Sequence, residues 1–247
     1  MNGYLLFKPI VLATLFIKEQ VKEPVALFWI VISPVVMFYL ITYAKLPEGE
    51  LSYKYLDITS WFYAFVSSSV ALFGLAFYIV GRRESGFLRS FVYARSTKVI
   101  FLSGQFLAYS FMSVIYCSAF YGLTRFYFGV MGFSEFATIV GRFYICFLLF
   151  SIPSLLLTLT PMGFQNANTV FSIVSFVMLA LGVVSISSSH PVLEVVSFFN
   201  PMWWANQIML VGVADGLLVV MFVGVLFVSS LWITYRFLLI NPVWSRY

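Results

Sequence analysis

The sequence predicts an all-α membrane protein of six transmembrane helices, with an interfacial N-terminal helix and a re-entrant helical hairpin before the last span. Hydrophobic residues make up 62% of the 247 residues and charged residues only 9%. A soluble domain has roughly half and a quarter, respectively. Apolar runs of about 20 residues recur, which is the length that a helix needs to cross the bilayer. These runs are too long and too uniformly apolar for the alternating strands of a barrel.

The chain opens with a mixed segment, residues 1–24, that we expect to form an interfacial helix. Apolar residues dominate positions 10–17, and a charged stretch at 18–23 follows them. Lys18 and Lys22 are four positions apart and therefore share one face of a helix. Because the segment is too short and too charged to cross the bilayer, it is predicted to lie at the membrane surface and lead into the first span.

Six apolar runs follow, and each is long enough for a transmembrane helix. Pro24 suits the first turn of the first span, and Pro34 is expected to kink that span. Serines at 67–69 and Gly74 give the second span a small surface for close helix packing. A short turn at 161–168 separates the fourth and fifth spans. The predicted spans are residues 25–44, 60–80, 99–124, 137–160, 169–187 and 216–240.

The segment at 188–215 is apolar, but it is predicted to be a re-entrant hairpin on the extracytoplasmic side rather than a seventh span. Prolines divide it into pieces that are too short to cross the bilayer. An Asn-Pro pair is expected at its turn, and two tryptophans are expected at the membrane interface, where this residue is enriched. An ordinary loop folded over the membrane surface is the alternative. The residues that define the hairpin are Pro191, Asn200, Pro201, Trp203 and Trp204.

The distribution of lysine and arginine predicts that both termini face the cytoplasm. In that orientation the inside segments carry ten of the fourteen basic residues, as expected from the excess of positive charge in cytoplasmic loops. The ten are Lys8, Lys18, Lys22, Arg82, Arg83, Arg89, Arg95, Lys98, Arg236 and Arg246. The other four are Lys45, Lys54, Arg125 and Arg142. The predicted location is the inner (plasma) membrane, crossed several times.

Missing motifs argue against several classes of protein. No G-x-x-x-x-G-K-[ST] loop is present, so the chain is not expected to hydrolyse ATP, and no other motif marks it as an enzyme. One histidine and two cysteines cannot build a usual zinc site, so no metal is expected. The net charge of +5 reflects basic residues held at one membrane face and does not indicate nucleic-acid binding.

Arg142 is a charged residue inside a predicted span. A charge at mid-bilayer costs on the order of 3 kcal/mol, so such residues usually have a function. One interpretation is that Arg142 reaches out to the outer interface. The other is that it lines an outward-facing cavity on a transport pathway and meets an acidic group. Glu135, Glu194 and Asp215 fall at predicted span edges, so the buried acidic relay of a proton-driven carrier is missing.

The segment between the second and third spans, residues 81–98, is the strongest functional signal. It holds a charged surface and an apolar surface at helical spacing, which predicts a short amphipathic helix. The helix is either a positive-inside anchor or a docking site for a soluble partner. Docking is favoured because exposed apolar side chains need a cover. The charged residues are Arg82, Arg83, Glu84 and Arg89, and the apolar residues are Phe87, Leu88, Phe91 and Val92.

With these elements the chain resembles the membrane subunits (permeases) of ABC exporters of the ABC-2 type. Members of that family have an interfacial N-terminal helix, six spans, cytoplasmic termini and a re-entrant hairpin before the last span. They commonly carry an R-E-x-G-[TF]-L-like segment after the second span, which here reads Arg83-Glu84-Ser85-Gly86-Phe87-Leu88. The Asn200-Pro201 pair is similar to the family's N-P element. The resemblance covers nearly the whole chain.

The resemblance implies transport powered by a separate protein. Two membrane subunits, two copies of this chain or this chain and a related one, would form the pathway, and two ABC ATPase subunits would bind ATP and Mg and dock on the 81–98 loop. The R-E-x-G segment favours export of an amphipathic drug-like molecule, lipid or peptide over a polysaccharide. A channel, an ion- or proton-coupled secondary transporter and an intramembrane enzyme are the open alternatives. The implied coupling residues are Arg82, Arg83, Glu84, Gly86, Phe87, Leu88 and Arg89.

Overall fold

A computed structural model describes residues 3–23, 28–45, 55–129, 131–187, 191–212 and 217–243. Within these ranges the chain is helical and contains no strand. The α-helices are α1 (Gly3–Val21), α2 (Ser33–Lys45), α3 (Tyr55–Ser69), α4 (Phe77–Glu84), α5 (Phe87–Phe91), α6 (Arg95–Arg125), α7 (Phe133–Leu157), α8 (Phe164–Ser187), α9 (Pro191–Phe199), α10 (Pro201–Val211) and α11 (Leu217–Phe237). Several residues used above, among them Pro24, Lys54, Asp215 and Arg246, lie outside the described residues.

Five described helices are long and apolar enough to cross a membrane, so the protein is a multi-pass membrane protein. The prediction of an all-α membrane fold is confirmed. The apolar helix at the place of the first predicted span, Phe28–Tyr43, is shorter than the other five, and residues 24–27 before it are outside the described part. The five long helices are Tyr55–Glu84, Arg95–Phe128, Phe133–Leu157, Phe164–Gly182 and Leu217–Phe237.

The structure shortens the turn predicted at 161–168, because α8 already begins at Phe164. Gln165, Asn166 and Asn168, read from the sequence as the end of the turn, are exposed on this helix, the first two of them in its first turn. The backbone N–H groups of a first turn have no partner within the helix, so polar side chains are well tolerated there. Polar residues therefore marked a helix start rather than a longer turn.

The centre of the molecule is one continuous helical rod made of α3, a π-helical segment at Val70–Ala76, and α4. It packs against α6, α7, α8 and α10. In its most apolar stretch 72% of the residues are buried, compared with 22% in each of α8 and α11. Helices α8 and α11 therefore lie at the periphery, and the central rod lies in the core.

Gly74, inside the π-helical segment, allows the closest approach in this core. A Cβ atom added there would lie 2.5 Å from the ring of Tyr109 on α6. Tyr109 is almost fully buried, so its ring has little room to move away. The absence of a side chain at Gly74 is therefore a packing requirement.

Helix α1 lies along α6 and is attached to it by apolar and polar contacts. Gly104 of α6 admits the side chain of Leu12, and the rings of Phe16 and Phe101 meet edge to face at 6.0 Å. Gln20 is buried and bridges two tyrosines of α6, because Tyr109 donates to its Oε1 and its Nε2 donates to Tyr116. The N-terminal helix predicted from the sequence is thus part of the packed structure.

Candidate functional site

The chain reverses direction at Gly86, between α4 and α5. Gly86 has a φ of 78°, a left-handed conformation that glycine adopts at little cost. Its N–H donates to the carbonyl of Arg83 at 3.1 Å. The N–H of Ser85 donates to the carbonyl of Gly81 at 2.9 Å. These bonds close the end of α4 and start the five-residue helix α5. The glycine of the R-E-x-G segment therefore has a conformational role.

Arg83 is completely buried and fastens α4 to the turn between α7 and α8. Its Nη1 donates to the carbonyls of Thr158 (2.9 Å) and Thr160 (3.2 Å), and its Nη2 donates to that of Met162 (2.6 Å). Its Nε donates to Glu84 at 2.9 Å. The sequence predicts that this side chain contacts a partner protein. In the structure its hydrogen bonds are all to other residues of this chain.

Glu84, the last residue of α4, connects this helix to the last described residues. Besides its ion pair with Arg83, its carboxylate accepts from the backbone N–H of Val243 at 3.2 Å. A second link is close by, since Nζ of Lys98 donates to the carbonyl of Leu238 at 3.2 Å. We call this end of the helix bundle, which also contains Arg82, the basic end.

Arg82 attaches α1 to the basic end. Its guanidinium is ion-paired with Glu19 and lies over the rings of Phe16 and Phe87, 5.2 and 5.1 Å from their centroids. Glu19 sits in the charged stretch that the sequence analysis assigned to a surface helix, and its pairing with Arg82 was not foreseen. The two residues are 63 positions apart, so no sequence pattern links them.

The apolar side of α5 is covered by this chain, in contrast to the expectation that Phe87 and Leu88 are exposed. Leu88 is fully buried, and Phe87 and Phe91 are half-buried and stacked at 5.4 Å. Leu88 packs into the hydrophobic core, which removes it from solvent. The outward surface is formed instead by Arg89, Ser90, Tyr93, Arg95 and Ser96, with Tyr93 85% exposed. We call these five residues the exposed loop surface.

A cavity of about 290 Å³ opens beside the basic end, between the end of α1, α4 and the start of α8. Aromatic rings, a carboxylate and a guanidinium line it. Its lining residues are Glu23, Phe77, Tyr78, Gly81, Arg82, Ser85 and Phe164. We call it the basic-end cavity.

At the opposite end of the bundle Arg142 binds the last turn of α10. Its Nη1 donates to the carbonyls of Met209 (2.6 Å) and Leu210 (3.2 Å), which lack partners within the helix. A positive group there also interacts favourably with the helix dipole. Gly212, with a φ of 92°, ends α10 and leaves room for the guanidinium.

Arg142 also lines a cavity of about 460 Å³ that contains two acidic residues, Asp57 and Glu135. Glu135 is ion-paired with Arg125 at 3.1 Å. Arg142 thus shares a cavity with two acidic residues, and its hydrogen bonds go to backbone carbonyls; its place on a transport pathway stays a prediction. The described residues contain no group of three or more His, Cys, Asp or Glu side chains that could hold a metal ion.

The predicted hairpin consists, in its described part, of α9 and α10 in contact with each other. Asn200 separates them: its side chain accepts from the N–H of Met202 at 3.0 Å and donates to the carbonyl of Met178 at 2.9 Å. Pro201 occupies the first turn of α10, where its missing N–H has no cost. Trp203 and Trp204 are half-buried and meet edge to face at 5.0 Å. Neither helix is long enough to cross a bilayer.

Comparison with known proteins gives an informative similarity. No protein-family model matches the chain. The sequence is 28% identical over 244 residues to Protein McbE from Escherichia coli, and the alignment covers 95% of this chain and 97% of that protein. The two chains are therefore similar along almost their entire length.

Proposed function

We propose that this chain is the membrane-spanning subunit of an ATP-driven exporter of the ABC-2 type. The observation that carries the proposal is the exposed loop surface, which presents Arg89, Tyr93 and Arg95 beside a short helix between two long apolar helices. Arg83 and Leu88 hold this loop from inside, so that it is rigidly attached to the bundle. A rigid, basic and aromatic protrusion is suited to bind a soluble partner and to transmit its movement.

The proposed partner is a pair of ABC ATPase subunits, which would bind ATP and Mg and dock on the exposed loop surface. Of the coupling residues inferred from the resemblance, Arg89 is positioned for direct contact, and Gly86, Arg83, Glu84 and Leu88 set the shape of the loop. The pathway would be formed by two membrane subunits. In this proposal the chain itself is not an enzyme.

The proposed topology has six spans, with both termini in the cytoplasm of a cell whose inner membrane holds the protein. It is supported by the assembly of Arg82, Arg83 and Lys98 at one end, together with the residues after α11. Arg125 and Glu135 lie at the opposite end. Helix α2 would belong to the first span, and α9 with α10 would form a re-entrant hairpin on the outer side.

The proposed cargo is an amphipathic drug-like molecule, lipid or peptide, and a polysaccharide is the alternative. A proton-coupled carrier is less well supported, because no Asp or Glu is buried among the residues that the structure describes. Intramembrane carboxylates are the usual proton relay of such carriers.

ATP hydrolysis and coupling in liposomes test the proposal. The purified chain alone should not hydrolyse ATP, and ATP-dependent export should require a co-reconstituted ABC ATPase. Arg89→Glu together with Arg95→Glu should abolish co-purification of a co-expressed ATPase, because the reversed charges repel its docking surface. Arg236→Glu, an exposed charge on α11, is the matched control and should retain it. ATP hydrolysis by the isolated chain would overturn the proposal.

A further inference from the structure

The walls of the basic-end cavity are suited to an apolar or aromatic body. Phe77 of α4 and Phe164 of α8 have their ring centroids 4.5 Å apart. Gly81 lies beneath the ring of Phe164, where an added Cβ would be 3.3 Å from it. Because position 81 has no side chain, the space between α4 and α8 remains open. Phe164 is 49% exposed, so part of its ring is available to a ligand.

The two charged side chains that line this cavity have different partners. The guanidinium of Arg82 is ion-paired with Glu19. The carboxylate of Glu23 accepts a hydrogen bond from the neutral hydroxyl of Tyr78, and it has no salt bridge to any described residue. The cavity therefore combines aromatic faces with a carboxylate that has no ion-pair partner among the described residues.

We propose that the basic-end cavity binds the ammonium group, or another organic cation, of an amphipathic molecule. A cation is attracted both to a carboxylate and to the faces of aromatic rings. A volume of about 290 Å³ is at the lower limit of ligand pockets, so the cavity would hold the cationic end of a larger molecule. As a statement about cargo this rests on the proposed function, and it narrows that cargo to cationic amphiphiles.

The same chemistry has a second source, because the headgroup of phosphatidylethanolamine also carries an ammonium group on an apolar body. In either case Glu23 is the residue that recognises charge, and Phe77 and Phe164 recognise the body next to it. A free amphiphile and a membrane lipid can be distinguished by changing the lipid composition of the membrane.

Fluorescence binding to the full chain in nanodiscs tests the proposal without any ATPase. The probe is dansylcadaverine, an aromatic amine, and its N-acetyl derivative is the uncharged match. Empty nanodiscs provide the background for both. Glu23→Gln should weaken binding of the amine about fivefold, the scale of one partly exposed charge pair, and leave the acetylated probe unchanged. Phe164→Leu should weaken binding of both probes. Lys18→Gln, which removes an exposed charge from α1 outside the cavity, should change neither.

Lipid composition then identifies the source. If phosphatidylethanolamine in the nanodiscs displaces the amine from the original chain and not from Glu23→Gln, the occupant is a lipid headgroup. If it has no effect, the occupant is a free cationic amphiphile. Equal affinity for the charged and acetylated probes, or an unchanged affinity in Glu23→Gln, would overturn the proposal. Because no ATP is involved, failure of ATPase coupling would leave this result intact.

Discussion

A single buried guanidinium, that of Arg83, closes the turn between α7 and α8. Three backbone carbonyls of that turn accept from it, and of these the carbonyl of Thr160 also accepts from the backbone N–H of Met162 at 2.9 Å. A buried carbonyl that loses its donor retains the full cost of desolvation. Arg83 therefore contributes to the stability of the fold as well as to the position of the loop.

Replacing Arg83 by Gln should destabilise the protein by about 3 kcal/mol, because charged hydrogen bonds to buried acceptors are lost. Thermal unfolding in detergent measures the change. Arg89→Gln, six positions later and exposed, should leave the unfolding temperature unaltered. An Arg83 variant as stable as the original chain would show that the carbonyls find other donors.

The sequence reveals which charges are unusual but not what each one binds. Arg83 and Arg142 stand out in an apolar chain, and that much can be predicted. Their acceptors are backbone carbonyls that lie 67 to 79 positions away. A carbonyl is present at every residue, so its use as an acceptor leaves no trace in the side-chain pattern. The fully buried state of Arg83 could only come from the structure.

At the level of elements, the π-helical segment at Val70–Ala76 makes a close contact across the core through Gly74. Gly74→Ala should destabilise the protein by about 2 kcal/mol, because the new methyl group overlaps the buried ring of Tyr109. Gly141→Ala on α7 is the matched control, since an added Cβ there meets nothing within 4 Å. That control should be neutral or stabilising by about 0.5 kcal/mol. Equal unfolding temperatures for the two variants would contradict the packing argument.

The junction of α9 and α10 makes a second prediction. Asn200→Ala removes the cap of α10 and the bond to Met178, and should cost about 2 kcal/mol. Asn200→Ser provides an uncharged cap acceptor for the N–H of Met202 and loses the amide donor to Met178, so its unfolding temperature should lie between those of Asn200→Ala and the original chain. If Asn200→Ser is as unstable as Asn200→Ala, the cap does not contribute.

Long helices could be predicted from the sequence because the width of the bilayer fixes the length of an apolar run. The ends were harder to predict. Helix α8 begins at Phe164 and has three exposed amide side chains among its first five residues, where the sequence suggested a loop. The π-helical segment was not foreseen either, because no pattern of residue types in 70–76 distinguishes it from the α-helix on either side.

At the level of the whole molecule, the proposed topology predicts the side of the membrane on which each segment lies. Ser189→Cys and Asp215→Cys, at positions outside the described residues, should both react with an impermeant thiol reagent from outside the cell. Each is made in a chain with Cys117 and Cys146 replaced by alanine, so that the introduced thiol is the only one that can react. Reaction of Asp215→Cys only from the cytoplasm would require the segment to cross the membrane.

The orientation in the membrane could be proposed from the positions of lysine and arginine along the sequence. Arg82, Arg83 and Lys98 lie at one end and Arg125 and Arg142 at the other, because each charge would be costly within the bilayer between them. The pairs that join them, such as Arg82 with Glu19, need the folded chain. Position along the membrane normal is thus encoded locally, and the partner of each charge is not.

The π-helical segment at Val70–Ala76 also determines where the chain can change in length. A π-helical turn accommodates one residue more than the α-helix around it. Deleting one residue there converts the turn to α-helix and leaves the direction of Arg83 unchanged. The same deletion within α3 would rotate the two parts of the rod by about 100° relative to each other. Single-residue gaps in alignments with homologues of different length should therefore fall at 70–76 and not in α3.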